Sequence, residues 1–162
     1  SRSRIVINPL AKKNRLIIES GDSKWNLELG LGEAALYVYL ICESLLSADG
    51  GGARFRNLGK ASRARIMDSY GAIYERFAPR NAPDITLSST RNPMISRIKA
   101  AVKKCGLSDD KALFDPHVDE SRAIQIAVDM AQVKVVEGDE IVQFEDSQLR
   151  KVYESTKQKA SK

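Results

Sequence analysis

The sequence predicts an α+β domain in which a small N-terminal antiparallel sheet precedes three helices and a C-terminal hairpin. Three observations carry this. Runs with period-two alternation fill the first thirty residues, apolar stripes at helical spacing recur three times between residues 33 and 105, and alternation returns after Gly106.

The opening runs cover residues 4–8, 15–20 and 25–31. Asn8-Pro9 and Lys12-Lys13-Asn14 separate the first two, and Gly21-Asp22-Ser23-Lys24 supplies a hairpin loop between the second and third. In the third run Trp25, Leu27 and Leu29 alternate with Asn26 and Glu28, the signature of a sheet with one buried face. Residues 33–47 form the first helix, because Ala35, Val38, Tyr39, Cys42, Leu45 and Leu46 recur at three- and four-residue intervals behind an acidic start that suits the helix dipole. Asp49-Gly50-Gly51-Gly52 breaks it. A second helix over 61–77 buries Ile66, Tyr70, Ile73, Tyr74 and Phe77, and Pro79, Asn81 and Pro83 enforce the loop beyond.

The third helix, 92–105, has marked ends. Asn92 suits the N-cap, Pro93 the first helical position, and Gly106 a left-handed stop. At about 100° per residue Ile95, Ile98, Val102 and Cys105 fall on one side, with Ser96, Arg97, Ala100, Lys103 and Lys104 on the other. No acid interrupts that outer face. A small residue at its centre lets it approach a duplex, and its cations can reach phosphates and guanine edges.

Beyond Gly106 two readings compete. Residues 112–118 and 122–128 form a hairpin around Asp119-Glu120-Ser121, with Ile124, Ile126 and Val128 alternating with Gln125 and Ala127. A helix capped by Asp119 or Ser121 also fits, through Ile124, Ala127, Val128 and Ala131. Residues 133–136 and 141–144, joined by Glu137-Gly138-Asp139-Glu140, add a strand pair, and 146–162 read as a charged helix that frays into a tail. No internal repeat stands out.

With 162 residues the chain can bury its own core, and 43% apolar with 29% charged residues places it among ordinary globular proteins rather than disordered ones. Cys42 and Cys105 lie on apolar stripes and are expected as reduced core residues. No apolar run is long enough for a bilayer, and residues 1–10 carry no signal-peptide pattern, so a cytoplasmic location with no membrane partner is expected. The net charge of +5 favours anionic partners only if it is concentrated. It is. Arg54, Arg56, Lys60, Arg63 and Arg65 form one acid-free cluster and Arg91, Arg97, Lys99, Lys103 and Lys104 another, while Asp109, Asp110, Asp115, Asp119 and Glu120 crowd one later segment. The basic clusters are expected to share a surface.

Catalytic patterns fail. Gly59-Lys60 lacks both the earlier glycine and the following hydroxyl of a phosphate-binding loop, and it follows a helix rather than a strand. His117, the only histidine, lies between Asp115 and Asp119 but has no Gly-x-Ser-x-Gly nucleophile and no nearby cysteine, so an exposed turn residue is expected. Tyr39, Tyr70, Tyr74 and Phe77 read as core, and Tyr37 as the exposed exception. No enzyme activity, catalytic residue, metal or cofactor is expected.

Leu29-Gly30-Leu31-Gly32-Glu33-Ala34-Ala35-Leu36-Tyr37-Val38-Tyr39-Leu40-Ile41 looks like a strand feeding a first helix with paired aliphatics, and Ile95-Ser96-Arg97-Ile98-Lys99-Ala100-Ala101-Val102-Lys103-Lys104 like a recognition helix. In both, and in its order of elements, the chain resembles the winged-helix effector domain of OmpR/PhoB-type response regulators from about residue 5 to 128. The family's glycine- and aromatic-containing wing signature is absent after Leu107, Asp119-Glu120 would put acids at the wing tip, and the linker from Ala78 to Arg91 is long. No phosphoacceptor receiver accompanies these elements. The resemblance implies a winged helix-turn-helix with residues 1–31 as N-terminal sheet, 32–128 as winged-helix core and 129–162 as C-terminal extension. It implies sequence-specific binding of double-stranded DNA as a transcriptional regulator. Ser96, Arg97, Ala100, Lys103 and Lys104 would face the major groove. Arg54, Arg56, Lys60, Arg63 and Arg65 would meet the backbone, Arg122 would reach from the hairpin, and Arg91 would join the DNA-binding set. The alternative is a protein-interaction module on the same scaffold, with a protein partner or a homodimer in place of DNA.

Overall fold

A computed structural model describes residues 3–48, 50–107 and 110–160. Asp49 of the expected helix break, Asp109 of the acidic segment and residues 161–162 of the expected tail lie outside the described residues.

The chain is α+β, and its sheet draws strands from both ends of the sequence. The strands β1 (Arg4–Ile7), β2 (Leu16–Ser20) and β3 (Ser23–Asn26) are joined by β6 (Val133–Glu137) and β7 (Glu140–Gln143) in the order β3-β2-β1-β6-β7. Neighbours are antiparallel except β1 and β6, which run parallel with Ile5 opposite Val133 and Ile7 opposite Val135. The register makes one buried row. Ile5 and Ile7 lie opposite Ile18 and Leu16, so these four and Val133 and Val135 point into a single hydrophobic cluster shared with the helices. The third strand is offset from expectation. It starts at Ser23 because Gly21-Asp22 alone closes the turn, as Gly138-Asp139 does between β6 and β7. Val133–Glu137 and Glu140–Gln143, from the expected C-terminal extension, therefore supply two strands of the first sheet.

The helix α1 (Leu31–Leu46) has every residue from Ala34 to Glu43 buried. A helix apolar all round belongs inside a fold. That corrects Tyr37, expected exposed: its side chain is fully buried and its hydroxyl donates to the Phe114 carbonyl at 2.6 Å. The helix α2 (Lys60–Phe77) buries Ile66, Ser69, Tyr70, Ile73, Tyr74 and Phe77, and the Tyr70 hydroxyl donates to the Gly32 carbonyl at 2.9 Å. Cys42 and Cys105 are buried and unbridged, and burial pushes both thiols up.

The third helix, α3 (Ser88–Lys104), begins four residues before the expected N-cap. Pro93 thus sits inside it. The bond it cannot give to the Ser89 carbonyl is lost where Ser89, Asn92 and Pro93 are exposed residues. After α3 come a four-residue helix, α4 (Lys111–Phe114), and the hairpin of β4 (His117–Val118) and β5 (Ile124–Gln125). The hairpin forms and the competing helix does not, although α4 takes the first half of the expected strand at 112–118. Ile126 and Val128 are buried while Ile124 is half-buried. Last, α5 (Gln148–Ala160) packs along α2, buries Leu149 and Tyr153 and joins Ser69 to Thr156 through their hydroxyls at 2.8 Å. Among the described residues no helix is long and apolar enough to cross a membrane.

Ile126 is 2% exposed and its N–H donates to Ser44 Oγ at 2.9 Å, which fixes the hairpin against α1. Ile126→Asp should lower unfolding free energy by roughly 2 kcal/mol or more in urea titrations, through an unpaired buried charge. Ile124→Asp should cost less. Equal or reversed costs would show that the hairpin does not dock this way.

Candidate nucleic-acid interface

The buried side of α3 carries Arg91, Met94, Ile98, Ala101 and Val102. Helical periodicity then places Ser96, Ala100 and Lys103 outermost, with Arg97 and Lys104 on one flank and Lys99 on the other. All six are exposed. The flanks, however, are engaged. Arg97 lies 3.7 Å from Glu33, a first-turn residue of α1 whose carboxylate also accepts the Gly30 N–H at 3.3 Å. Lys99 donates to the Pro116 carbonyl and stands 3.9 Å from Asp115.

Arg97, Ala100 and Lys104 share a groove of about 500 Å³ with Trp25 of β3, Glu28 and Glu33. The indole passes so close to Gly106 that a Cβ there would stand 2.9 Å from Nε1. Any side chain at Gly106 would therefore force the Trp25 indole to shift. The expected left-handed stop does not occur, since Gly106 is absent from the positive-φ residues and Cys105 ends the helix in an extended conformation.

Arg91 is the clear departure among the expected DNA-binding residues. It is 9% exposed, donates to the Ile85 carbonyl at 2.8 Å and lies 4.3 Å from the centroid of the Phe55 ring. Burial, then the neighbouring charge of Arg63, pulls its pKa down. Its guanidinium therefore ties α3 to the segment before α2 and does not reach the surface. Arg63 is exposed and donates to the carbonyl and hydroxyl oxygens of Thr86, just before α3.

The other cations of that cluster separate. Lys60 is exposed at the start of α2. Arg54, Arg56 and Arg65 line a second groove with Lys157 of α5, a residue of the expected C-terminal charged helix with no role expected of it. Tyr153 and Lys157 are one helical turn apart on α5, and that spacing was the available signal.

The hairpin is seated by backbone bonds between Ala53 and Ile124, at 2.9 and 2.8 Å. Gly52, at φ +85°, makes this approach possible, because a Cβ there would stand 2.5 Å from the Ile124 carbonyl oxygen. Arg54 then reaches Ser121 in the hairpin turn at 3.2 Å, and Arg122 projects from the turn, exposed, at φ +68°. The acids at the tip are partly consumed. Asp119 accepts from the Ser121 hydroxyl at 2.7 Å, the Ala123 N–H at 3.0 Å and the Gln125 amide at 3.2 Å. His117 is exposed, and among the described residues no three His, Cys, Asp or Glu side chains are grouped to hold a metal. What the surface offers chemically is cations and small polar groups, suited to binding anions.

The Ser121 hydroxyl, followed by the Ala123 and Ser121 amides and the Arg54 charge, holds the Asp119 carboxyl below the usual range against the opposing effect of desolvation. Its contribution to the turn is complete above the ordinary Asp value, about 3.9, and is lost as pH falls through the lower folded value. NMR shifts of residues 119–125 should therefore move below about pH 4. The same transition surviving in Asp119→Asn would place its origin elsewhere.

Set against protein-family models, curated proteins and solved structures, the chain matches none of them.

Proposed function

We propose that this chain binds double-stranded DNA in a sequence-specific manner, as a transcriptional regulator built on a winged-helix scaffold. The observation that carries the reading is α3 itself: it holds no acid and exposes four cations, Arg97, Lys99, Lys103 and Lys104, and Ser96 and Ala100 form a small-residue centre to the exposed face. Supporting it, a hairpin follows α3 and pairs with the segment between α1 and α2, as a wing would. Ser96, Ala100 and Lys103 enter the major groove, Arg97 and Lys104 flank them, and Lys60, Arg63 and Arg122 meet backbone phosphates.

Glu33 tunes this surface. Its carboxylate holds Arg97 beside the groove that contains Trp25, and it adds repulsion for phosphate. The same groove favours a second reading, a protein-docking module: β3 is an edge strand, and Trp25 with Ala100, Ala101 and Cys105 offers an apolar floor beside it.

Fluorescence anisotropy with labelled duplexes across a salt series separates the two readings. Lys103→Glu should reduce affinity by at least about tenfold while shifting stability by no more than about 0.5 kcal/mol. Glu33→Gln should raise affinity, since a glutamine keeps the cap on Gly30 while releasing Arg97. Salt-independent binding, or well-folded Lys103→Glu with unchanged affinity, would overturn DNA recognition by α3.

A further inference from the structure

Where the end of α1, the segment before α2, the first turns of α2 and the last turns of α5 meet, they enclose a groove of about 680 Å³. Four cations from three separate segments line it: Arg54 and Arg56 before α2, Arg65 on α2 and Lys157 on α5. Among the described residues that line it, one carboxylate stands against them. That carboxylate, Glu43, is 8% exposed, accepts the Tyr153 hydroxyl and lies 3.1 Å from Lys157. Its charge is therefore largely answered within the protein, and the groove keeps a positive field that concave, low-dielectric walls strengthen.

The rest of the lining is different in kind. Leu58 and the buried Ile66 supply aliphatic surface, and Ser47, Asn57 and Ser62 supply neutral hydrogen-bonding groups, with Ser62 accepting from Arg65 at 3.2 Å. A site that sets exposed arginines beside aliphatic side chains suits a molecule that carries phosphate at one end and a flat apolar ring at the other. Its volume falls in the range of ordinary small-ligand sites, roughly 300–1,000 Å³, whereas a duplex can offer only single phosphates to such a site.

We infer that this groove binds a small organic phosphate of nucleotide size, with the phosphates on Arg56 and Arg65 and the heterocycle over Leu58 and Ile66, while Lys157 stays with Glu43. The site does not require α3 to bind DNA. Arg54 is shared, because it lines the groove and also holds Ser121 of the hairpin turn.

Isothermal titration of the full chain with ATP, tripolyphosphate and adenosine tests the inference. ATP should bind, more tightly than tripolyphosphate, and adenosine should bind far more weakly than either. Arg56→Glu and Arg65→Glu should each weaken ATP by at least about tenfold, and Arg65→Gln by less, with circular dichroism unchanged. Leu58→Asp should remove the preference for ATP over tripolyphosphate. Lys103→Glu on α3 should bind ATP as the parent does. Absence of ATP binding, equal affinity for ATP and tripolyphosphate, or parent-like binding by the arginine variants would overturn it. So would loss of duplex affinity in Arg56→Glu and Arg65→Glu without any ATP binding by the parent, since the groove's phosphates would then belong to DNA.

Discussion

Everything in this fold is arranged around a helix with no solvent face. From Ala34 to Glu43 α1 is buried on all sides, so each polar atom it carries or meets must find a partner inside the protein. The partners come from different elements in turn. Tyr37 binds the carbonyl of Phe114 in α4, Gly32 receives Tyr70 of α2, Ser44 receives the amide of Ile126, and Glu43 receives Tyr153 of α5. An orphaned group at any of these positions costs about 1–3 kcal/mol, so the polar contacts specify where each surrounding element sits while apolar burial holds them together. Burial, then the charge of Glu43, also pushes the Tyr153 hydroxyl up, which keeps it protonated as the donor.

The surface inherits its geometry from that arrangement. Because Met94, Ile98 and Val102 fix the inner side of α3, its outer arc is fixed too, and the flanks fall beside Glu33 on α1 and Asp115 after α4. Acids remote in sequence thus decide which cations of an apparently uniform basic helix stay available. Lys103 belongs to the available group. Arg91 has become part of the interior, stacked on Phe55.

The sequence made local periodicity legible and hid what depends on distant partners. The stripes of α1 and α2, the Gly138-Asp139 turn and the alternation through Ile126 all announce themselves within a few residues. Tyr37 did not, because a helix buried all round has no off-stripe position to expose. The start of α3 is not legible because Pro93 and Asn92 are good first-turn residues, and nothing local shows that Ser88, Ser89, Thr90 and Arg91 already belong to the helix. Within the candidate site, the exposure of Ser96, Arg97, Ala100, Lys103 and Lys104 follows from periodicity alone. The fates of Arg91, Arg97 and Arg54 follow from Ile85, Glu33 and Ser121, which no spacing rule connects to them.

The parallel pairing of β1 with β6 sets a clock on synthesis. As the chain leaves the ribosome, β1, β2 and β3 can close as a meander early, yet one edge of β1 stays open until Val133–Glu137 has been made. Through that interval the helices assemble beneath an unfinished sheet whose exposed edge carries the backbone of Ile5 and Ile7, a template for pairing with another nascent chain. A copy that terminates before residue 133 displays the open edge that a finished copy seals, which gives chaperones and proteases a ready means of telling the two apart.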